Sequence, residues 1–263
     1  MQKIPSRDTD WKCCHCGKVA EYRQDCLNYC VIHWNMGEPV LPPKIKHHVN
    51  YLQVVYGSYK PSTFDGKLAK YVTRFFPKDK SFVLDVGYGN GRYMQEFQML
   101  GHMSAGLDKN DCNFEKNLSV ASNSVDVVFC KSVIEHIKDT DKFLSEIHRV
   151  LKPGGVAIIL TPAWEHNFRW FYDDYTHVKP FHRKGLQDAL RINNFTTRVD
   201  YMYYLPFLWQ CKLLSFIPWV LKHLPDKFRW KDKDETIANV LVRFSKEIQL
   251  MAIARKAYDY KEV

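Results

Sequence analysis

Three groups of residues in this chain have types and spacings suited to chemistry. The first is Asp85-Val86-Gly87-Tyr88-Gly89-Asn90-Gly91, an acid inside an apolar run followed by glycines at alternate positions. Glycines at such a turn admit backbone conformations closed to other residues and let a ligand approach the main chain closely. Asp108 closes the next apolar run, where a carboxylate can accept hydrogen bonds from two neighbouring hydroxyls. The second group is Cys13-x2-Cys16 and, after a gap of 13 residues, Cys30-x2-His33. Ligands spaced this way grip one ion from a tight knuckle, and two such pairs complete a tetrahedral shell. Cys14, His15 and Cys26 are alternative ligands, and reduced buried cysteines are the reading without a metal. The third group lies in Trp170-Phe171-Tyr172-Asp173-Asp174-Tyr175-Thr176-His177-Val178-Lys179-Pro180-Phe181. There Asp174 or His177 could remove a proton from a hydroxyl, or equally could anchor the loop. His136 is a further candidate base, with a core-facing or capping histidine as the alternative.

These residues need elements to position them. Phe82–Val86, Ser104–Leu107, Val125–Cys130 and Val156–Leu160 are short apolar runs, and Tyr93–Leu100 and Thr140–Leu151 have helical periodicity. On the second helix Phe143, Leu144, Ile147, Val150 and Leu151 share one face, and Lys152-Pro153-Gly154-Gly155 ends it. Strands alternating with helices predict an α/β fold with a parallel sheet, whose ligands lie outside the carboxyl ends of the strands. Thr197–Leu205 and Ile248–Ala254 supply a sixth and a seventh strand. The chain then divides into a zinc-binding module (1–38), a linker and extension (39–60) and the α/β domain (61–263). The linker is introduced by Glu-Pro-Val-Leu-Pro-Pro at 38–43, where prolines stiffen the backbone. Insertions at 164–184 and 205–232 rise from the carboxyl edge and would cover an acceptor pocket.

Four ordered motifs carry a family resemblance. Asp85 to Gly91 resembles motif I of the class I S-adenosylmethionine-dependent methyltransferases, of the type 11 kind. Glu115-Lys116-Asn117-Leu118 looks like the family's acidic segment beside the adenine. Lys131-Ser132-Val133-Ile134-Glu135-His136 is similar to the segment after the fourth strand, and Val150 to Gly155 to the turn before the fifth. The resemblance implies a Rossmann-like, doubly wound, mostly parallel seven-stranded sheet. It implies S-adenosylmethionine as cofactor, held by Asp85, Gly87, Tyr88, Gly89, Gly91, Asp108, Lys109, Glu115, Asn117, Leu118 and Ser132. His177, His136 and Asp174 are then the candidate catalytic residues. Tyr88 and Asn90 fill slots that are often small in the family, and the interval from Asp108 to Val125 is short for a full helix and strand. The Cys-Gly-Lys-x-Ala and Tyr-Cys-x-x-His-Trp segments resemble treble-clef or zinc-ribbon modules, which implies Zn2+ in a structural role.

Bulk composition narrows the partners without naming one. Hydrophobic residues at 46% and charged residues at 25% describe a globular chain, and a net charge of +9 tolerates nucleic acid, anionic lipid or a phosphorylated acceptor without selecting any. Met1–Trp11 has no apolar run, and five of the eight cysteines precede residue 31, which points to a reducing, cytoplasmic setting. Tyr201–Leu221 is interrupted by Pro206, Lys212 and Pro218 and is a poor membrane span. Its aromatic 205–230 part reads as a core-forming helix pair, or as a lid or membrane-surface element. A sugar, glycan intermediate or related small molecule is the favoured acceptor. RNA methylation with the zinc module as a docking part, and a non-catalytic binding protein on the same fold, are the alternatives.

Overall fold

The computed structural model describes residues 63–109, 113–209, 220, 223 and 247–257, together with three short N-terminal strands. Those strands, β1 (Gln2–Lys3), β2 (Tyr22–Gln24) and β3 (Leu27–Tyr29), pair antiparallel in the order β1-β2-β3. The expected ligands Cys13, Cys16, Cys30 and His33, and the alternatives Cys14, His15 and Cys26, lie outside the described residues. So do the linker and most of the 205–232 insertion.

The main body is built on one sheet of six strands among the described residues: β4 (Phe82–Val86), β5 (Met103–Leu107), β6 (Val125–Lys131), β7 (Leu151–Pro162), β8 (Phe195–Tyr203) and β9 (Ile248–Lys256). Their spatial order is β5-β4-β6-β7-β9-β8. β4 pairs parallel with β5 and β6, and β6 with β7, while β9 runs antiparallel to both β7 and β8. Only β9 is reversed, so the mostly parallel expectation holds. Thr197–Leu205 and Ile248–Ala254 correspond to β8 and β9, so the strand missing from the expected seven is one between β5 and β6: among the described residues the chain there crosses β4 and residues 113–124 form turns and loop.

Both faces of the central strands are buried, which explains why they read as continuous apolar runs. Leu84, Val86, Val128, Cys130, Ala157 and Ile159 face one core, shared with α3 (Thr140–Val150) and α5 (Arg183–Ile192). Val83, Val127, Phe129, Val156, Ile158 and Leu160 face the other, packed against α1 (Thr63–Val72) and α2 (Arg92–Met99). Alternation along each strand gives the two faces. Asp139 caps α3, its side chain accepting from the Lys142 N–H at 3.0 Å. No helix among the described residues is long and apolar enough to cross a membrane.

Lys152-Pro153-Gly154-Gly155 ends α3 as expected but belongs to β7 as a bulge. Val125 pairs with Leu151 and Val127 with Val156, so these four residues loop out opposite Asp126. Gly154 takes a positive φ of 76° there. The buried Asp126 carboxylate receives Phe82 N–H at 2.8 Å, Lys152 Nζ at 3.0 Å and Lys78 Nζ at 2.9 Å. Burial pushes its pKa up, but these donors outweigh burial and hold it below the usual carboxylate value. At this amino edge of the sheet the Asp126 charge is matched by two lysines, which is a structural use of an acid.

Candidate active site

At the opposite, carboxyl edge the chemistry-bearing residues gather, because the parallel strands β4 to β7 all end there. Gly87, Gly89 and Gly91 take φ values of 81°, 53° and 73°, and Gly91 precedes α2. Only glycine takes such angles at little cost. A Cβ on Gly87 would stand 2.2 Å from Val133 Cγ2, so the loop is pressed against the segment following β6. Gly87 N–H donates to the Leu107 carbonyl at 2.6 Å, and Gly89 N–H to Asp108 Oδ2 at 3.0 Å. Lys109 N–H donates to Asp108 Oδ1 at 2.6 Å. Asp108 thus fixes the glycine loop to the end of β5 while sitting at the edge where a ligand's hydroxyls would arrive. The Tyr88 ring lies against the open Cα of Gly106, where a Cβ would come within 2.6 Å of it. That packing accommodates a bulky residue in a slot expected to be small.

Asp85 is buried, and its Oδ2 has no hydrogen-bond partner. Burial, then the charge of Asp108, push its pKa up to about 8, opposed by Lys131. Lys131 ends β6 with its ammonium near the ring of Tyr93, 5.9 Å from the centroid, and the Tyr93 hydroxyl donates to Asp65 at 2.9 Å. Burial lowers the lysine pKa, while Asp65, Glu135 and Asp85 support its charge. Sequence reasoning assigned no role to Lys131 or Asp65. The legible signal was a lysine ending an otherwise apolar strand.

Ser132 has a positive φ of 56°, a conformation uncommon outside glycine, and its N–H donates to the Leu160 carbonyl at 2.9 Å. It turns the chain into a 3-10 turn, Ile134–His136. In this tight turn Glu135 is wholly buried at 0% exposure. Thr161 Oγ1 donates to its Oε2 at 2.9 Å, and its Oε1 has no hydrogen-bond partner. Burial pushes the Glu135 pKa up to about 7.

His136 and His177 face each other with ring centroids 4.7 Å apart. His177 Nδ1 lies 2.5 Å from the Phe171 carbonyl, so Nδ1 donates to it and, in the neutral ring, Nε2 carries the lone pair. Asp174 Oδ2 stands 3.9 Å from that Nε2, and the ring is oriented by a backbone carbonyl rather than by Asp173 or Asp174. His136 Nδ1 lies 3.2 Å from the Thr176 carbonyl and 2.9 Å from Thr176 Oγ1. Because the Thr176 hydroxyl donates to Asp174 Oδ1 at 2.6 Å, the His136 nitrogen must be the donor to it. His136 therefore also presents an unprotonated Nε2. Burial first, then the neighbouring His177, lower its pKa, which favours the neutral ring. The structure brings the three candidate catalytic residues together and adds Glu135 and Thr176.

The adenine-side candidates have other work. Glu115 Oε1 accepts from the Lys138 N–H at 2.7 Å. Asn117 Oδ1 accepts from the Ser119 N–H at 2.6 Å. Leu118 is fully buried, with its N–H donating to Glu146 at 3.1 Å. They shape the 113–124 turn, with Leu118 a core residue rather than an open wall. On the segment that carries His177, Phe168, Tyr172, Tyr175 and Val178 are exposed.

Asp85, Asp108 and the glycine cradle fit S-adenosylmethionine on structural grounds. An unpartnered buried carboxylate oxygen beside a second acid favours a cationic ligand, and the positive-φ loop leaves main chain uncovered.

Comparison with known proteins gives the same direction. A family model described as a methyltransferase domain matches residues 62–198, more than half of the chain. A probable S-adenosylmethionine-dependent methyltransferase of Mycolicibacterium smegmatis is 40% identical over 72 residues, 27% of each chain. The malonyl-[acyl-carrier protein] O-methyltransferase of Methylococcus capsulatus is 31% identical over 127 residues, 46% of this chain and 45% of the relative. The matched segments thus span less than half the length of these curated relatives. A solved S-adenosylmethionine-dependent methyltransferase from Archaeoglobus fulgidus shares the fold at a TM-score of 0.51 and 17% identity, over 80% of this chain and 100% of that one.

Proposed function

This chain belongs to the methyltransferase-domain family, and on that premise we propose that it transfers a methyl group from S-adenosylmethionine to a sugar, glycan intermediate or related small molecule. The observation that carries the reading is the junction of the Gly87–Gly91 loop with Asp108, set on the same sheet edge as the His136–His177 pair. S-adenosylmethionine supplies a methyl on a sulfonium, a carbon already activated for in-line displacement. Asp108 would accept from the ribose hydroxyls, the glycine loop would line the amino-acid end, and Asp85 would offset positive charge. On the acceptor side, the Nε2 lone pair of His177 suits removal of a hydroxyl proton, while Phe171 fixes the ring through Nδ1. His136, fixed by Thr176 and Asp174, orients the acceptor or shares that proton. Phe168, Tyr172 and Tyr175 offer aromatic faces on which an apolar sugar face stacks.

The Cys13-x2-Cys16 and Cys30-x2-His33 spacings support a structural Zn2+ in residues 1–38, and their thiols favour a cytoplasmic setting. RNA as acceptor would add that module as a docking part.

The test is calorimetry with S-adenosylmethionine or its demethylated product. Asp108→Ala should weaken binding by about 1–3 kcal/mol, through loss of a charged acceptor. Asp108→Asn, which keeps an acceptor for Gly89, should fall between. Equal affinity in wild type and Asp108→Ala would overturn the ribose assignment. Release of S-adenosylhomocysteine across a panel of small hydroxylated acceptors then identifies the substrate, and silence with all of them but turnover on RNA would overturn the small-molecule reading.

A further inference from the structure

We propose that Glu135, His136 and His177 form a binding site for a divalent transition-metal ion of the zinc class. Each residue offers one ligand atom, and these atoms lie within 4.8 Å of one another. Ligands at bonding distance around a tetrahedral ion are about 3.3 Å apart, so modest side-chain rotations close the shell.

Three independent features of the surroundings prepare this site. Metal-ligating histidines donate their other ring N–H to an oxygen, which fixes the tautomer and the ring plane. Both histidines here do so: His177 to the Phe171 carbonyl, His136 to Thr176, whose hydroxyl is held in turn by Asp174. Next, Glu135 Oε1 is an acceptor at 0% exposure with no hydrogen-bond partner, while Oε2 is already satisfied by Thr161. Orphan oxygens of this kind are rare in native interiors, and a bound cation would satisfy this one. Finally, the glutamate main chain is fixed as well, its carbonyl accepting from Val178 at 2.9 Å and Lys179 at 3.0 Å. The 174–179 loop is thereby tied to the turn that carries Glu135 and His136.

The donor set selects the ion. Two imidazoles and one carboxylate suit Zn2+, Co2+, Fe2+ or Mn2+, whereas Mg2+ and Ca2+ prefer oxygen throughout. Three protein ligands leave a fourth position open, as catalytic sites do. That this position takes the acceptor hydroxyl rests on the methyltransferase reading; the ion site itself does not. A bound ion lowers the pKa of a coordinated hydroxyl and lets its proton pass to solvent, so the histidines would serve as ligands in place of a base.

Cobalt(II) is the probe, added alone to the full chain carrying Cys13→Ser, Cys14→Ser, Cys16→Ser, Cys26→Ser and Cys30→Ser, which removes every N-terminal thiolate. One equivalent should bind, with weak visible d–d bands and no sulfur charge-transfer band. X-ray absorption should show imidazole scattering around the ion. His136→Gln, His177→Gln and Glu135→Gln should each weaken binding at least tenfold. Circular dichroism identifies the variants that fold, and calorimetry with S-adenosylmethionine reports the cofactor side separately. Absence of cobalt binding, a shell without imidazole, or unchanged affinity in a folded histidine variant would each overturn the proposal. Cobalt binding without S-adenosylmethionine affinity would support the ion site and count against the methyl-transfer reading.

Discussion

Gly87→Ala separates two costs that the glycine loop avoids. Its φ of 81° places any L-residue in the left-handed region, at about 1–2 kcal/mol. Its new Cβ would also stand 2.2 Å from Val133 Cγ2, an overpacking worth about 1–3 kcal/mol. The single variant should therefore lose about 2–5 kcal/mol of stability, the sum of those ranges. Val133→Ala alone removes two buried methyl groups, at about 1.6 kcal/mol. In the double variant the clashing atom is gone, and the next contact is Val133 Cβ at 3.5 Å, an ordinary van der Waals distance. Its destabilisation should consequently be less than the sum of the singles by about 1–3 kcal/mol, with the backbone cost and the lost methyl burial persisting. Urea unfolding of the four proteins gives the cycle, provided the m-values agree. Calorimetry should show S-adenosylmethionine affinity falling in Gly87→Ala and partly returning in the double variant. Additivity within about 0.5 kcal/mol would refute the idea that the loop is pressed against the segment after β6.

The remaining expectations concern protons. Asp85 has a folded pKa of about 8, above its unfolded value of 3.8, so the folded protein holds this proton more tightly. Its contribution is present at low pH and is lost as pH rises through that window, becoming constant above about 8. Asp85→Asn should therefore gain melting temperature relative to wild type between pH 5 and pH 8.5; an equal difference at both pH values would contradict an unpartnered buried acid. His177→Ala should lower turnover at least tenfold, about 1.4 kcal/mol in the transition state, with S-adenosylmethionine affinity within about twofold. Unchanged turnover would leave His177 as a loop anchor, and a matching collapse in affinity would make the loop part of the cofactor pocket.

The fold was legible where one physical cause dominates. Strands buried on both faces must be largely apolar, so Phe82–Val86 and Val125–Cys130 stand out without any partner being known. The glycine turn was legible because positive φ selects residue type directly. A seven-stranded sheet was expected from family resemblance; among the described residues the chain between β5 and β6 crosses β4 through turns and adds no strand. The bulge at Lys152–Gly155 was hidden because a turn sequence reads alike at a helix end and inside a strand.

The site was legible in its residues but not in their roles, and Glu135 shows why. An α-helical frame would place neighbouring side chains about 100° apart, and so would send Glu135 away from a site that His136 faces. The chain instead makes a 3-10 turn after a left-handed Ser132, and nothing in the residue types announces that conformation. Thr176 was passed over for a related reason. Its use depends on Asp174 taking its hydroxyl proton, which obliges it to accept from His136, and such an order of donors exists only after the loop has closed. Sequence patterns report which groups are present. The protonation pattern that decides whether a histidine is a base, a ligand or an anchor belongs to contacts six and forty residues apart, and here those contacts occupy Nδ1 of both rings and leave each Nε2 for a ligand or a proton.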